Sequence, residues 1–383
     1  MQPDLLIVGA GPVGLALALA LRQAGLDIAL ADARPREAVL QDPRVLALAQ
    51  GTRLTLERLG VWNGLPATPI RSIHVSQAGG FGRTELRAED YRQPALGYVA
   101  SAGALAGALR AAVDRAGIAV LDDTKVTAVV PQATDALARL ATRGADGERD
   151  CRARLVACAE GGLKAGEPDV IERDYHQHAL IARIDAEGGH RNRAFERFTP
   201  EGPIALLPCE RHYALVHVVA PQRADELLAL DESRYVELLQ QRFGSRVKLG
   251  RVADRQRFPL ALRYRRDPVG PRTVWLGNAA QTLHPVAGQG FNLALRDVWA
   301  LAETLFAHPG DPGDAATLAA YRDSRRLDRC GAIGFTDTLV RVFSNDFAPL
   351  RHLRGAGLFA LDMLPPLRDF VARRMMFGAR AWP

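Results

Sequence analysis

Two patterns of apolar positions divide the chain. Leu5 to Val8 is an unbroken apolar run, the pattern of a strand buried on both faces. Leu15 to Ala24 reads as a smooth apolar helix closed by Gly25, and Asp27 to Ala31 as a second strand. Ala102 to Ala116 is an Ala/Leu-rich helix, and Val126 to Val130 and Leu137 to Ala141 predict meander strands. Val274 to Leu276 returns to the buried-strand pattern, and Asn292 to Leu305 follows as a helix. The stretch 171–264 differs. Ala179 to Ile184, Ala194 to Thr199, Ile204 to Leu207 and Tyr213 to Val219 read as antiparallel strands, with Glu201-Gly202-Pro203 as one of the turns between them. Asp231 to Phe243 predicts a helix, and from Thr317 onward the chain is helical with a break at Pro365-Pro366.

The expected fold is therefore α/β. A discontinuous Rossmann-like nucleotide-binding domain (residues 1–75, 98–170 and 265–335) is interrupted by an antiparallel-sheet substrate domain (76–97 and 171–264) and followed by a C-terminal helical region (336–383). No apolar stretch reaches 18 residues without a charge, so no spanning helix is expected. The first 20 residues lack a basic leader and run straight into the nucleotide fold, so no signal peptide is expected.

Between the first predicted strand and helix, Gly9, Gly11 and Gly14 have G-x-G-x-x-G spacing, with Pro12 inside the turn. Gly9 permits the tight turn, Gly11 lets the backbone approach a pyrophosphate, and Gly14 allows close strand–helix packing. The N–H groups and dipole at the start of the helix favour a phosphate. Asp32, 23 residues after Gly9, ends the second strand, where a carboxylate can accept both ribose hydroxyls. An acid there favours FAD or NAD over NADP.

A second glycine segment ends the Val274 strand. Gly277-Asn278 leads through His284-Pro285 to Gly288-Gln289-Gly290 and Asn292 at the head of a helix. Glycines just before a helix expose several N–H groups on one side. Such donors can stabilise negative charge on one edge of a reduced flavin. In this order, the first segment reads as the adenine end of an FAD site and the second as its ring end.

Composition narrows the picture only slightly. A net charge of +6, carried almost wholly by Arg, is compatible with an anionic surface. There is no aromatic-interleaved basic patch, and no nucleic-acid partner is expected. The four cysteines, Cys151, Cys158, Cys209 and Cys330, have neither CxxC nor zinc-finger spacing. They predict unpaired thiols, no metal site and no dithiol flavoenzyme.

With these residues in view, the chain resembles the group A FAD-dependent aromatic hydroxylases, specifically their ubiquinone-biosynthesis branch. The resemblance covers nearly the whole chain. It is carried by DPRVLALAQGTRLTLERLGVW (42–62), IHVSQAGGFGRTEL (73–86), AEDYRQPALG (88–97), AFERFTPEGPIALLP (194–208) and GNAAQTLHPVAGQGFNLALRDVWALAETL (277–305). It implies a para-hydroxybenzoate hydroxylase type of fold. It also implies that NADH or NADPH binds transiently and reduces FAD, that O2 adds at the flavin C4a, and that its terminal oxygen passes to an electron-rich phenol. In this branch the phenol carries a polyprenyl tail, as in a 2-polyprenyl-6-methoxyphenol. Arg44 matches the family arginine that reaches the FAD phosphates; the plainer reading is a surface ion pair.

The chain departs from the wider family at three places. Asn278 stands where many relatives have Asp, and keeps hydrogen-bonding capacity without charge. The usual Ala-Asp-Gly-x-x-Ser-x-x-Arg, which touches FAD and the nicotinamide cofactor, is reduced to Ala159-Glu160-Gly161 with Lys164 and Glu167. Ser101 is the nearest polar group where a basic residue often precedes the Ala102 helix.

A base near the phenol makes it a better nucleophile. His284, beside the flavin loop, and His217, in the Tyr213 strand, are the candidates; each also reads as a structural histidine. Arg197 lies in a matched strand without an assignable role. The C-terminal stretch mixes Leu358, Phe359, Leu361, Met363 and Leu364 with Arg351, Arg354, Arg368, Arg373, Arg374 and Arg380. It reads either as a helical cap or as a peripheral membrane contact delivering a lipid substrate. A cytoplasmic location, peripheral to the inner membrane face or within a ubiquinone-biosynthesis complex, follows from the second. The competing functions are a hydroxylase of another ring position or of a soluble phenol, and a lipid-escort protein on the same fold. A halogenase is disfavoured, since its W-x-W-x-I-P motif is missing.

Overall fold

Residues 1–144, 147–164, 166–343 and 348–378 are described by a computed structural model. The Leu5–Val8 strand is buried throughout and pairs in parallel with Ile28–Ala31 on one side and Leu155–Cys158 on the other. Ala119–Leu121 and Thr273–Trp275 extend this parallel sheet at either end, and Val269–Gly270 adds an antiparallel edge. The helices Pro12–Ala20, Ala102–Arg115 and Gly290–Ala307 cover one face through Leu15, Leu17, Leu105, Leu109, Leu295, Val298 and Leu301. The meander Thr124–Pro131, Ala136–Thr142 and Glu148–Ala153 covers the other. The first helix ends at Ala20, capped by Leu21, rather than running to Ala24; Gly25 closes the turn after it with φ +67°.

An eight-stranded sheet holds the strands expected between 171 and 264. Val170–Ala186 pairs with Leu249–Arg265 and with His212–Val219, which continues through Gly202–Cys209 to Arg193–Thr199. Ser72–Gln77 then joins in parallel and Arg83–Arg87 closes the edge. The chain enters this sheet at Ser72, so the large sheet takes residues that the expected boundary at 75 left to the nucleotide domain.

Strand alternation gives the sheet two different faces. Leu180, Ile204, Leu206, Tyr213 and Leu215 pack under the helices Pro221–Ala229 and Glu232–Phe243. Ala194, Cys209 and Ala214 face the other way, toward Val45 of the Val45–Ala49 strand, Ile70 and Val99. This second face looks onto the nucleotide-binding half. The long helix Ala315–Phe343, then Ala348–Met363 and Pro365–Phe377, close the fold, with the break at Pro365 as expected.

Candidate functional site

At the first glycine turn the three glycines have three different reasons to be glycine. Gly9 has φ +106°, and a Cβ there would stand 2.8 Å from the Ala159 carbonyl oxygen. A Cβ on Gly14 would overlap the Gly9 carbonyl oxygen. A Cβ on Gly11 would meet only the tip of the Arg34 side chain, at 3.7 Å, and its φ of −75° is ordinary. Gly9 and Gly14 are thus needed by the fold, whereas Gly11 borders open space beside the helix start. Pro12 occupies the first helical position, where a missing N–H costs nothing.

Asp32, 4% exposed, accepts the Ala10 N–H at 2.7 Å and the Arg34 N–H at 2.9 Å. The Arg34 guanidinium closes on both carboxylate oxygens at 3.0 Å. Burial pushes the Asp32 carboxyl up, but the Arg34 charge and these bonds outweigh it and hold it below the usual range. With four bonds accepted, the carboxylate has room for a ribose only after the half-exposed Arg34 side chain swings out. Sequence reading missed Arg34; its place two residues past the acid was the available signal. Arg44 is exposed and paired with Asp42 through Nε at 3.0 Å. It lies near enough to Arg34 for the two charges to repel. Glu160 is exposed at the adjacent strand end, its carboxyl near Asp32. In the shortened motif that follows, Glu167 bonds the Lys164 N–H and ion-pairs with Arg265. Ser101 caps the Ala102–Arg115 helix through the Ala104 N–H.

The second segment comes to the first. Gly277 has φ +58°, and a Cβ there would lie 3.1 Å from the Val13 side chain, just inside the first helix. Asn278 follows with an exposed side chain, and Pro285, also exposed, starts a turn over Val286–Gly288. Gly288 has φ +59°, and a Cβ would stand 2.8 Å from that of Ala47. Gly290 opens the long helix with nothing within 4 Å of a Cβ. Its first-turn N–H groups lack helical acceptors. Gln289 is buried, its amide 3.7 Å from the Met375 sulfur.

Asn292 is corrected from a cofactor ligand to a brace. Its Oδ1 accepts from the Ala49 N–H (2.8 Å) and the Thr52 hydroxyl (2.7 Å), and its Nδ2 donates to the Ala47 and Gly288 carbonyls (2.9 and 2.7 Å). All four bonds of the amide are used within the chain, and they tie the glycine loop to the Val45–Ala49 strand.

His217 is corrected as well. Strand register turns it to the helix-covered face, where Nδ1 lies 3.2 Å from the Tyr235 hydroxyl. Burial holds it at about 3, so it is a neutral core histidine away from the glycine loop. His284 does reach the loop. Its Nδ1 accepts the Val286 N–H at 3.1 Å and its ring meets Tyr175 edge-on, while its buried Nε2 has no partner among the described residues. Burial lowers it to about 4, so it is neutral at pH 7. Arg197 also lies on the helix-covered face and donates to the Arg242 carbonyl at 3.0 Å.

The two glycine turns thus form one cradle with open space at Gly11 and Gly290 and helix N-termini at both ends. That arrangement fits an extended dinucleotide with an anionic centre. A family model described as an FAD binding domain matches residues 2–332. The chain belongs to the FAD-dependent aromatic monooxygenases of this family. FAD is its cofactor, with NAD(P)H as the reductant typical of the family. It is 34% identical to ubiquinone hydroxylase UbiL of Rhodospirillum rubrum, over 99% of this chain and 91% of that one. It is 30% identical to 3-demethoxyubiquinol 3-hydroxylase of Escherichia coli, over 94% and 95%. Among solved structures, p-nitrophenol 4-monooxygenase PnpA from Pseudomonas putida superposes with a TM-score of 0.77 over 98% of each chain at 16% identity, a likeness of fold.

Proposed function

We propose that this chain hydroxylates the aromatic ring of a polyprenyl phenol in ubiquinone biosynthesis. The observation that carries the reading is similarity over nearly the whole length to two hydroxylases of that pathway. The sheet face turned toward the glycine loop is apolar, as an aromatic substrate requires: Val75, Ala194, Phe198 and Val286 lie on this side, Phe198 and Val286 packed against Val340 of the Ala315–Phe343 helix. Gly9, Gly11 and Pro12 hold the FAD pyrophosphate and Gly14 packs the turn beneath it. Asp32 takes the ribose, with Arg34 and Arg44 beside the phosphates and Glu160 at the rim. Gly277 and Asn278 meet the ribityl chain. Pro285, Gly288, Gln289 and Gly290 position the ring edge. When bound, FAD supplies the oxygen activation.

The test is turnover of a short-chain 2-prenyl-6-methoxyphenol by the FAD-loaded protein. NADH or NADPH oxidation should accelerate when the phenol is added, and the product should gain one oxygen atom. Absence of flavin reduction by either nucleotide, with phenol present, would overturn NAD(P)H as the direct donor. Reduction without hydroxylation would overturn the substrate class.

The reading extends to a membrane surface as the source of substrate. Among the described residues no helix is long and apolar enough to cross a membrane. Phe359, Met363, Leu364, Leu367 and Phe370 are exposed on the two C-terminal helices. The arginines contribute less than their number suggests. Arg354 is buried and bonds the Phe343 carbonyl, Arg374 leans toward Asp328, and Arg380 lies outside the described residues, while Arg373 is exposed. The test is therefore apolar: Leu367→Ser with Phe370→Ser removes two side chains each worth ~1.5 kcal/mol or more on burial. Sedimentation with anionic vesicles should fall at least tenfold while short-chain turnover is kept. Unchanged sedimentation would leave these helices as a cap.

A further inference from the structure

The strand Arg193–Thr199 crosses the wall of the proposed phenol site, and its alternation puts Ala194, Glu196 and Phe198 on one face. Ala194 packs with Val45 of the strand that Asn292 ties to the glycine loop. Phe198 packs with Val286 of the loop itself. Glu196 lies between them and so faces the gap between the Val45 strand and the loop. Its neighbours across the sheet are Ala205 and Val75, which offer no hydrogen bond. The flanking residues Phe195 and Arg197 point to the opposite face, toward Phe243 and Arg242. A half-buried carboxyl thus stands on an apolar wall without a basic partner among the described residues.

A carboxyl among apolar neighbours and without a basic partner has the surroundings that suit a proton-transfer group. We propose that Glu196 is the catalytic base that accepts the phenol proton of the substrate. The inference rests on the hydroxylase reading above. The phenolic O–H bond breaks, the proton passes to a Glu196 oxygen, and the electron pair left on the phenol oxygen raises the electron density of the ring. One atom of O2 enters at a ring carbon, whose proton goes to water. The other atom leaves as water on the two electrons of NAD(P)H. Glu196 then returns its proton to the phenol oxygen.

Burial places the Glu196 carboxyl at about 7, so both forms are available near neutrality. The other titratable groups toward the same gap do not compete. His284 is neutral, the Tyr175 hydroxyl is engaged by Asp337 and pushed up, and burial pushes the Cys209 thiol up.

The test compares the parent with Glu196→Gln and Glu196→Asp as FAD-loaded proteins, in three readouts. Parent turnover of the short-chain phenol should rise with pH through about 7. Glu196→Gln should lose that limb and roughly 10²- to 10⁴-fold in rate, the usual range for a general base, and Glu196→Asp should recover part of both. The affinity for 2-methoxyphenol, read from the flavin absorbance, should tighten with pH in the parent and not in Glu196→Gln. The third readout needs no substrate. Between the unfolded value near 4.5 and about 7 the folded chain keeps a proton that the unfolded chain has released, so stability falls as pH rises. Glu196→Gln should therefore melt higher than the parent at pH 8 and level with it at pH 4. A Glu196→Gln enzyme with the parent's rate and pH limb overturns the proposal, as does a pH-independent parent affinity. A parent inert toward prenyl phenols that keeps the pH-linked 2-methoxyphenol affinity refutes the hydroxylase substrate and leaves Glu196 as the phenol acceptor.

Discussion

Gly11→Val should give a folded, colourless protein, whereas Gly14→Val should fail to fold. The two positions share one turn and differ in what surrounds them. A Cβ on Gly11 meets only the movable end of Arg34, and φ is −75°. Valine is a poorer helix cap than glycine, a loss of ~1 kcal/mol. Its methyl groups would occupy the space in which the FAD pyrophosphate approaches the backbone. At Gly14 the added carbon would coincide with the Gly9 carbonyl oxygen, on the first helix beneath the central strand. Neither element can move without disturbing the core, so the cost exceeds the ~1–3 kcal/mol of ordinary overpacking. The check is flavin absorbance per mole of purified protein beside a circular-dichroism melt. A yellow Gly11→Val at parental occupancy would falsify this placement of the pyrophosphate.

The contrast marks what the sequence made legible. The cradle was readable because its requirements are local: a turn, a helix start and an acid at fixed spacing specify one another within about thirty residues. The strands between 171 and 264 were readable by alternation, but which face each side chain takes depends on register with partners far along the chain. His217 shows this. Its strand was found, yet pairing with Ile204 and Leu180 turns it under the Glu232–Phe243 helix. Glu196 shows the converse, since two strands away alternation turns its carboxyl to the opposite face of the sheet, the face of Ala194 and Phe198. Asn292 was noticed for its place beside the glycines, but its acceptors and donors come from residues 47 to 52, which spacing cannot disclose. Arg34 and Arg44 show a local pairing that spacing also reveals: each has an acid two residues before it and bonds that acid.

The other large effect expected is on stability, at Asp297. Its carboxylate is 2% exposed and accepts from Gln281 Nε2 and Arg325 Nε, each at 2.7 Å. Arg325 also donates to Asp328 at 2.8 Å, where Arg296 joins at 2.7 Å, and Arg329 donates to Gln281 Oε1 at 2.8 Å. This buried network fastens the Ala315–Phe343 helix to the helix whose first turn forms the flavin end of the cradle. Asp297→Ala leaves Arg325 with half its charge partners and the Gln281 amide with no acceptor. Breaking one side of a buried ion pair costs ~3–5 kcal/mol, on the order of 4–6 °C in melting temperature for a chain of this size. Asp297→Asn should cost less but not vanish. Its amide must direct either N–H groups at Gln281 Nε2 or a flipped partner that then deserts Arg329. Loss at this distance from the cradle should lower flavin retention on dilution before it lowers turnover of the flavin-loaded fraction. The decisive measurement is a double-mutant cycle with Arg325→Ala. If the two losses simply add, the pair is not coupled and the helix is held by its apolar face alone. A double variant nearer in stability to either single one places the network between the flavin end and the C-terminal helices.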